Sequence, residues 1–168
     1  GHQVTLLQPG YVNPDVRRNK TDAADANALI HAARDPELKP VPVKSIDQQA
    51  LQSVHRIRQQ VIDTRKQRIN IARSLFAEFG VPLPRGTKDI VSRFRRHQDE
   101  LPPVLVQVLE PVLDEINVLK DRIDAIDLML KRYVKSQPVI ERLTTVPGVG
   151  VITATALFAS VPDIHQFK

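Results

Sequence analysis

From Ile46 to Phe79 the chain contains neither proline nor glycine. Ser45 followed by Gln48 has the form of a capping box, and Gly80 stands where a helix-ending glycine belongs. The spacing therefore predicts one helix of roughly 34 residues, about 50 Å long. Its apolar positions drift from Ala50, Val54, Ile57 and Val61 toward Ile62, Ile69, Ala72, Phe76 and Phe79, so the face it must bury rotates along its length. A second long helix is expected from near Pro102. There Leu105, Leu109, Val112, Ile116, Leu119, Ile123, Ile126, Leu130 and Tyr133 follow one another at alternating steps of four and three, a heptad seam that needs a partner helix. Pro111 is expected to kink this helix or split off its first turns. Between the two, Val81 to Gly86 reads as a loop, and Thr87 as the cap of a short helix to about Gln98. The expected architecture is mainly α, organised on a long antiparallel helical hairpin or coiled coil whose arms pair within one chain or between chains.

Charge is polarised along these arms. Between His55 and Arg73 stand Arg56, Arg58, Arg65, Lys66, Arg68 and Arg73 against Asp63 alone, which by itself equals the net charge of +5 of the whole chain. From Asp99 to Leu128 the balance reverses, with eight acids against Lys120 and Arg122. The basic arm is either a nucleic-acid contact or a face neutralised by the acidic arm.

The N-terminal part carries the candidate chemistry. Gly1 to Pro9 reads as a strand, followed by a basic turn with Arg17, Arg18 and Lys20 and then an alanine-rich helix from Thr21 to Arg34. Asp22 and Asp25 stand three apart in its first turn, so both carboxylates can reach one ion, a partial ligand set for Mg2+. The plain alternative is that they cap the helix and favour its positive end. Asp35 to Pro42 is a proline-rich extended connector. At the other end, Leu143 to Ala156 holds Pro147-Gly148-Val149-Gly150 between two short helical stretches, the pattern of a helix-hairpin-helix turn whose glycines let backbone amides approach a phosphate. An ordinary tight connection between core helices is its alternative.

Other classes are poorly supported. The chain has no cysteine and its histidines are scattered, which argues against disulfides and zinc. Walker and dinucleotide glycine motifs are missing. Its longest apolar run, Val151 to Ala159, is too short to span a bilayer. Aromatic residues at 4% suit long amphipathic helices better than a dense core. A soluble protein of the cytosol, with no membrane partner, is expected.

Four stretches in order, YVNPDVRRNKTDAADANAL, VPVKSIDQQALQSVHRIRQQ, RSLFAEFG and LTTVPGVGVITATAL, resemble the insertion-sequence 110 family of DEDD transposases over essentially the whole chain. The resemblance implies a DNA transposase or recombinase with metal-dependent strand cleavage and exchange. It makes Asp22 and Asp25 catalytic metal ligands, the last two of four acids in a RuvC-like α/β domain whose first Asp and Glu would lie upstream of residue 1. The family's catalytic Ser would lie beyond residue 168, and none of the serines here sits in that motif. The resemblance divides the chain into a RuvC-like remnant (1–44), a helical linker (45–136, with an insertion at 80–102) and the start of a C-terminal transposase domain (137–168). It also implies DNA and a guide, bridge RNA, as partners, a homo-oligomer formed through the hairpin, and association with the bacterial nucleoid. The residues read as touching nucleic acid are Arg17, Arg18, Lys20, Arg56, Arg58, Arg65, Lys66, Arg68, Arg73, Gly148 and Gly150. A non-enzymatic nucleic-acid-binding or coiled-coil assembly module is the competing reading.

Overall fold

The computed structural model of the chain describes residues 4–12, 21–83, 86 and 89–163. Among the described residues the secondary structure is helical: α1 (Pro9–Val12), α2 (Asp22–Arg34), α3 (Ile46–Glu78), α4 (Ile90–Arg96), a 3-10 turn (Gln98–Glu100), α5 (Pro103–Lys135), α6 (Pro138–Leu143) and α7 (Val151–Ser160). Two compact units are formed, one from the described residues of Gly1–Ile46 and Val161–Lys168, the other from Asp47–Ser160.

In the larger unit, α3 and α5 run antiparallel. Arg58 on α3 bonds Asp127 on α5, Arg65 the carbonyl of Ile116, and Arg68 the carboxylate of Glu115, so rising numbers on one helix meet falling numbers on the other. Apolar packing gathers at the two ends of this pair. At one end Ile69, Ala72 and Phe76 of α3 and Leu109, Leu113 and Ile116 of α5 enclose Ile90, Val91 and Phe94 of α4. The Phe76 and Phe94 rings stack with centroids 5.3 Å apart. At the other end Leu51 of α3 and Leu130 and Val134 of α5 pack with Ile140 of α6 and with Ala154 and Ala159 of α7.

The buried stripe of α5 departs from the expected seam at both ends. Leu113 and Val134 are buried, whereas Val112 and Tyr133 are only partly so. At those positions α5 faces α4 or α6 and α7 as well as α3, which widens the face it must cover. Of the two outcomes expected of Pro111, the split is not formed, for α5 is continuous from Pro103 to Lys135 with the proline inside it. The proline is exposed, where solvent can satisfy the carbonyl one turn earlier.

The end of α3 is fixed by Gly80. With φ of +81°, Gly80 donates its N–H to the Ala77 carbonyl while Val81 donates to that of Phe76, the paired bonds of a Schellman motif. Val81 and Phe76 then meet in the same core, so the turn is closed by packing too.

In the smaller unit, α1 packs on α2, whose covered face is built from Ala28 and Ala32. The expected strand from Gly1 to Pro9 is not formed among its described residues. One antiparallel bridge links Leu6 to Val41, with Val41 N donating to Leu6 O at 2.8 Å, and Pro9 already begins α1. A strand keeps its form through a ladder, and one bridge does not extend it.

Candidate metal and nucleic-acid sites

Thr21 sets the first turn of α2. Its backbone is extended and its Oγ1 accepts the Ala24 N–H at 3.2 Å, so Thr21 is the N-cap and the hydroxyl does the capping. Asp22 and Asp25 follow inside the turn. Residues three apart on a helix have Cβ atoms about 5–6 Å apart on one face. Asp22 is exposed and Asp25 half-buried, and neither carboxylate has a hydrogen bond or ion pair among the described residues. Two free hard-oxygen donors on a fixed turn fit a divalent cation such as Mg2+, which also takes water and phosphate oxygens. No cluster of three or more candidate metal-ligating residues occurs among the described residues, so the pair is a partial ligand set. Arg17, Arg18 and Lys20 lie outside the described residues.

The six cations of the basic arm have different surroundings. Arg58 lies 2.5 Å from Asp127 and Arg68 2.6 Å from Glu115, so both serve the pairing of α3 with α5. Arg65 donates its Nε to the Ile116 carbonyl at 3.4 Å. Arg73 donates Nη2 to the Gly86 carbonyl, tying the loop back to α3, while its buried Nε has no partner among the described residues. Lys66 lies 3.6 Å from Asp63 on its own helix, with both side chains largely in solvent. Arg56 is exposed and has no ion pair among the described residues. The acid-rich arm thus neutralises part of the basic arm, and Arg56 and Lys66 are its most accessible cations.

Gly148 and Gly150 stand in the turn between α6 and α7. Gly148 has φ of +85°, a conformation that suits glycine, and the space where a Cβ would sit beside either residue is open. The turn is held by Val149 N donating to Val146 O at 3.0 Å and by the Thr144 and Thr145 hydroxyls donating back to carbonyls of α6. The first helical bond of α7 is from Ala154 N to Gly150 O at 2.8 Å.

Two features escaped the sequence reading. His55 on α3 and Thr155 on α7 meet with Nε2 and Oγ1 3.0 Å apart. The Thr155 hydroxyl donates to the Val151 carbonyl at 2.7 Å, so its oxygen accepts from His55 Nε2–H. Burial, and then the neighbouring Arg58 charge, push the His55 pKa down. No local motif marks such a contact between residues a hundred apart. The second is Lys131, Arg132 and Lys135 at the end of α5, exposed and without ion pairs among the described residues. Their signal was available, because no acid occurs from Leu128 to Ile140, but a charge balance that stopped at Leu128 hid it.

Comparison with known proteins gives a consistent picture. Residues 1–80 match the sequence family described as "Transposase", the DEDD transposases of the IS110 type. The chain is 36% identical over 173 residues to a protein named "Probable family 20 transposase" from Pseudomonas aeruginosa, covering 100% of the chain and 51% of that relative. It is 34% identical to the "Transposase for insertion sequence element IS1328" of Yersinia enterocolitica, covering 97% of the chain and 49% of the relative. For the "Transposase for insertion sequence element IS1111A" of Coxiella burnetii the identity is 33%, covering 99% and 47%. The chain therefore spans about half the length of the curated relatives it matches. No solved structure matches.

Proposed function

The chain belongs to the IS110 family of DEDD transposases, and from that premise we propose that it works as the middle part of an insertion-sequence transposase, one that cuts and exchanges DNA strands with the help of a divalent metal. The observation that carries this reading is the Asp22 and Asp25 pair: two carboxylates on one turn with no hydrogen bond or ion pair among the described residues, fixed by a cap that comes from Thr21 and not from either acid. In this reading they are the last two of the family's four acids and hold Mg2+ together with an Asp and a Glu from elsewhere in the complete protein. The ion, when bound, would polarise the scissile phosphate or activate the attacking hydroxyl. The chain's own contribution is to keep two oxygen donors rigid at the start of α2, beside a basic stretch, Arg17, Arg18 and Lys20, that would draw the phosphate in.

The larger unit would supply nucleic-acid and assembly contacts. On the basic arm the proposal concentrates on Arg56 and Lys66, since Arg58 and Arg68 are engaged with acids of α5. Gly148 and Gly150 would bring the α6–α7 turn close to a backbone phosphate, a contact that gives affinity and not sequence choice. Val104, Val108 and Val118 repeat along one exposed line of α5 and support a second copy of the chain as a partner. DNA, a guide RNA and a bacterial cytosolic setting complete the reading. No helix among the described residues is long and apolar enough to cross a membrane.

Cleavage of a duplex carrying the insertion-sequence end by the complete transposase tests the proposal. Activity should need an added divalent ion and vanish on Asp25→Asn substitution. Cleavage that persists in a strong chelator would refute the metal-dependent reading.

A further inference from the structure

The end of α5 and the α6–α7 turn enclose a cleft of about 500 Å³, lined among others by Lys131, Arg132, Lys135, Glu141, Thr144 and Val151. Lys131 and Lys135 are one helical turn apart and Arg132 lies beside them, so three cations share one face over about 6 Å of helix. Such neighbours repel one another, and none is relieved by an ion pair among the described residues. Glu141 is the one acid in the lining, and it forms no ion pair among the described residues. Val151 opens α7, whose first-turn N–H groups lack partners within the helix. Unrelieved positive charge and a helix start at one open cleft make a seat for an anion.

We propose that this cleft seats the phosphate backbone of duplex DNA, with Lys131, Arg132 and Lys135 as the principal contacts and the α6–α7 turn as the opposite wall. The cations line up along the helix and do not converge on a point, as suits a strand of phosphates better than a single small anion. They sit on the arm that composition marks as acidic, so the positive surface is confined to its end. The assignment of DNA as the occupant rests on the transposase reading; the cleft and its charge do not.

The test is binding of a duplex DNA of arbitrary sequence to the whole chain, followed over a range of salt concentrations. Replacing Lys131, Arg132 and Lys135 together by Gln should weaken binding at low salt at least tenfold. It should lower the slope of log K against log salt by about 2 to 3, as expected for two or three lost phosphate contacts. All three residues are exposed, so the thermal melt should stay cooperative. Glu141→Gln, which takes a negative charge from the lining, should tighten binding. A triple variant that binds duplex DNA with unchanged affinity and slope overturns the site and leaves the transposase reading standing. A triple variant weakened for structured RNA and not for duplex DNA overturns the occupant. Failure of the unaltered chain to bind duplex DNA at low salt overturns both the inference and the nucleic-acid part of the wider reading.

Discussion

Arg58 donates Nε to Asp127 Oδ1 at 2.5 Å and Nη2 to Oδ2 at 3.2 Å, a two-pronged bond from α3 to α5. This carboxylate takes two of the five guanidinium donors and offsets its charge, so Arg58 has little left to offer a phosphate. Arg58→Gln should therefore lower stability by about 1 kcal/mol and leave the salt dependence of nucleic-acid binding nearly unchanged. Arg56→Gln should do the reverse, reducing the salt slope by about 0.9 at little cost in stability. Urea unfolding together with salt-titrated binding separates the two.

Phe94 is fully buried and stacked on Phe76, and it attaches α4 to the pair of long helices. Phe94→Ala should cost about 3–5 kcal/mol, the usual range for emptying an aromatic site. The unfolding midpoint should fall accordingly. A loss below about 1 kcal/mol would mean that α4 is not part of the cooperative core.

Gly80 resists replacement for a backbone reason alone, since its φ is +81° and nothing lies within 4 Å of an added Cβ. Gly80→Ala should cost about 1–2 kcal/mol, the penalty for a side chain in left-handed conformation. Chemical denaturation checks this directly.

Much of this architecture was legible because its signals are local. The long helix predicted from Ile46 is α3, the one predicted near Pro102 is α5, and the acid-bearing helix predicted from Thr21 is α2. Gly80 was marked as a terminus by its place after an uninterrupted run, and it closes α3. What was not legible depends on partners far away in sequence. The strand expected at Gly1 to Pro9 needs neighbours that a single Leu6 to Val41 bridge does not supply. Leu113 and Val134 are buried because α4, α6 and α7 lie against α5, and a heptad count assumes one partner only. Of the candidate site, Asp22 and Asp25 could be placed on one turn from spacing alone. Whether an arginine was free or bound to an acid could not be read, because the acids lie on the other arm.

The burial of His55 beside Arg58 should make stability depend on pH. Burial and Arg58 hold the folded-state pKa below the ordinary 6.5, so the unfolded chain binds the extra proton more readily. This contribution is complete above the unfolded value and is lost as the pH falls through the folded one. The urea midpoint should therefore drop between neutral and mildly acidic pH. His55→Gln should flatten part of that drop, and identical profiles for the two proteins would show that His55 does not contribute.

The most direct test of the Asp22 and Asp25 assignment separates metal binding from helix capping within one assay. Asp22→Asn, Asp25→Asn and Thr21→Ala are made in the complete transposase, and metal-dependent DNA cleavage and thermal stability are measured for each. The account predicts that both Asn variants fold but lose cleavage at least a hundredfold, while Thr21→Ala, which loses the cap bond worth about 1 kcal/mol, melts lower and still cleaves. Asn variants that cleave like the unaltered protein would contradict it and leave the two acids as helix-end charges only.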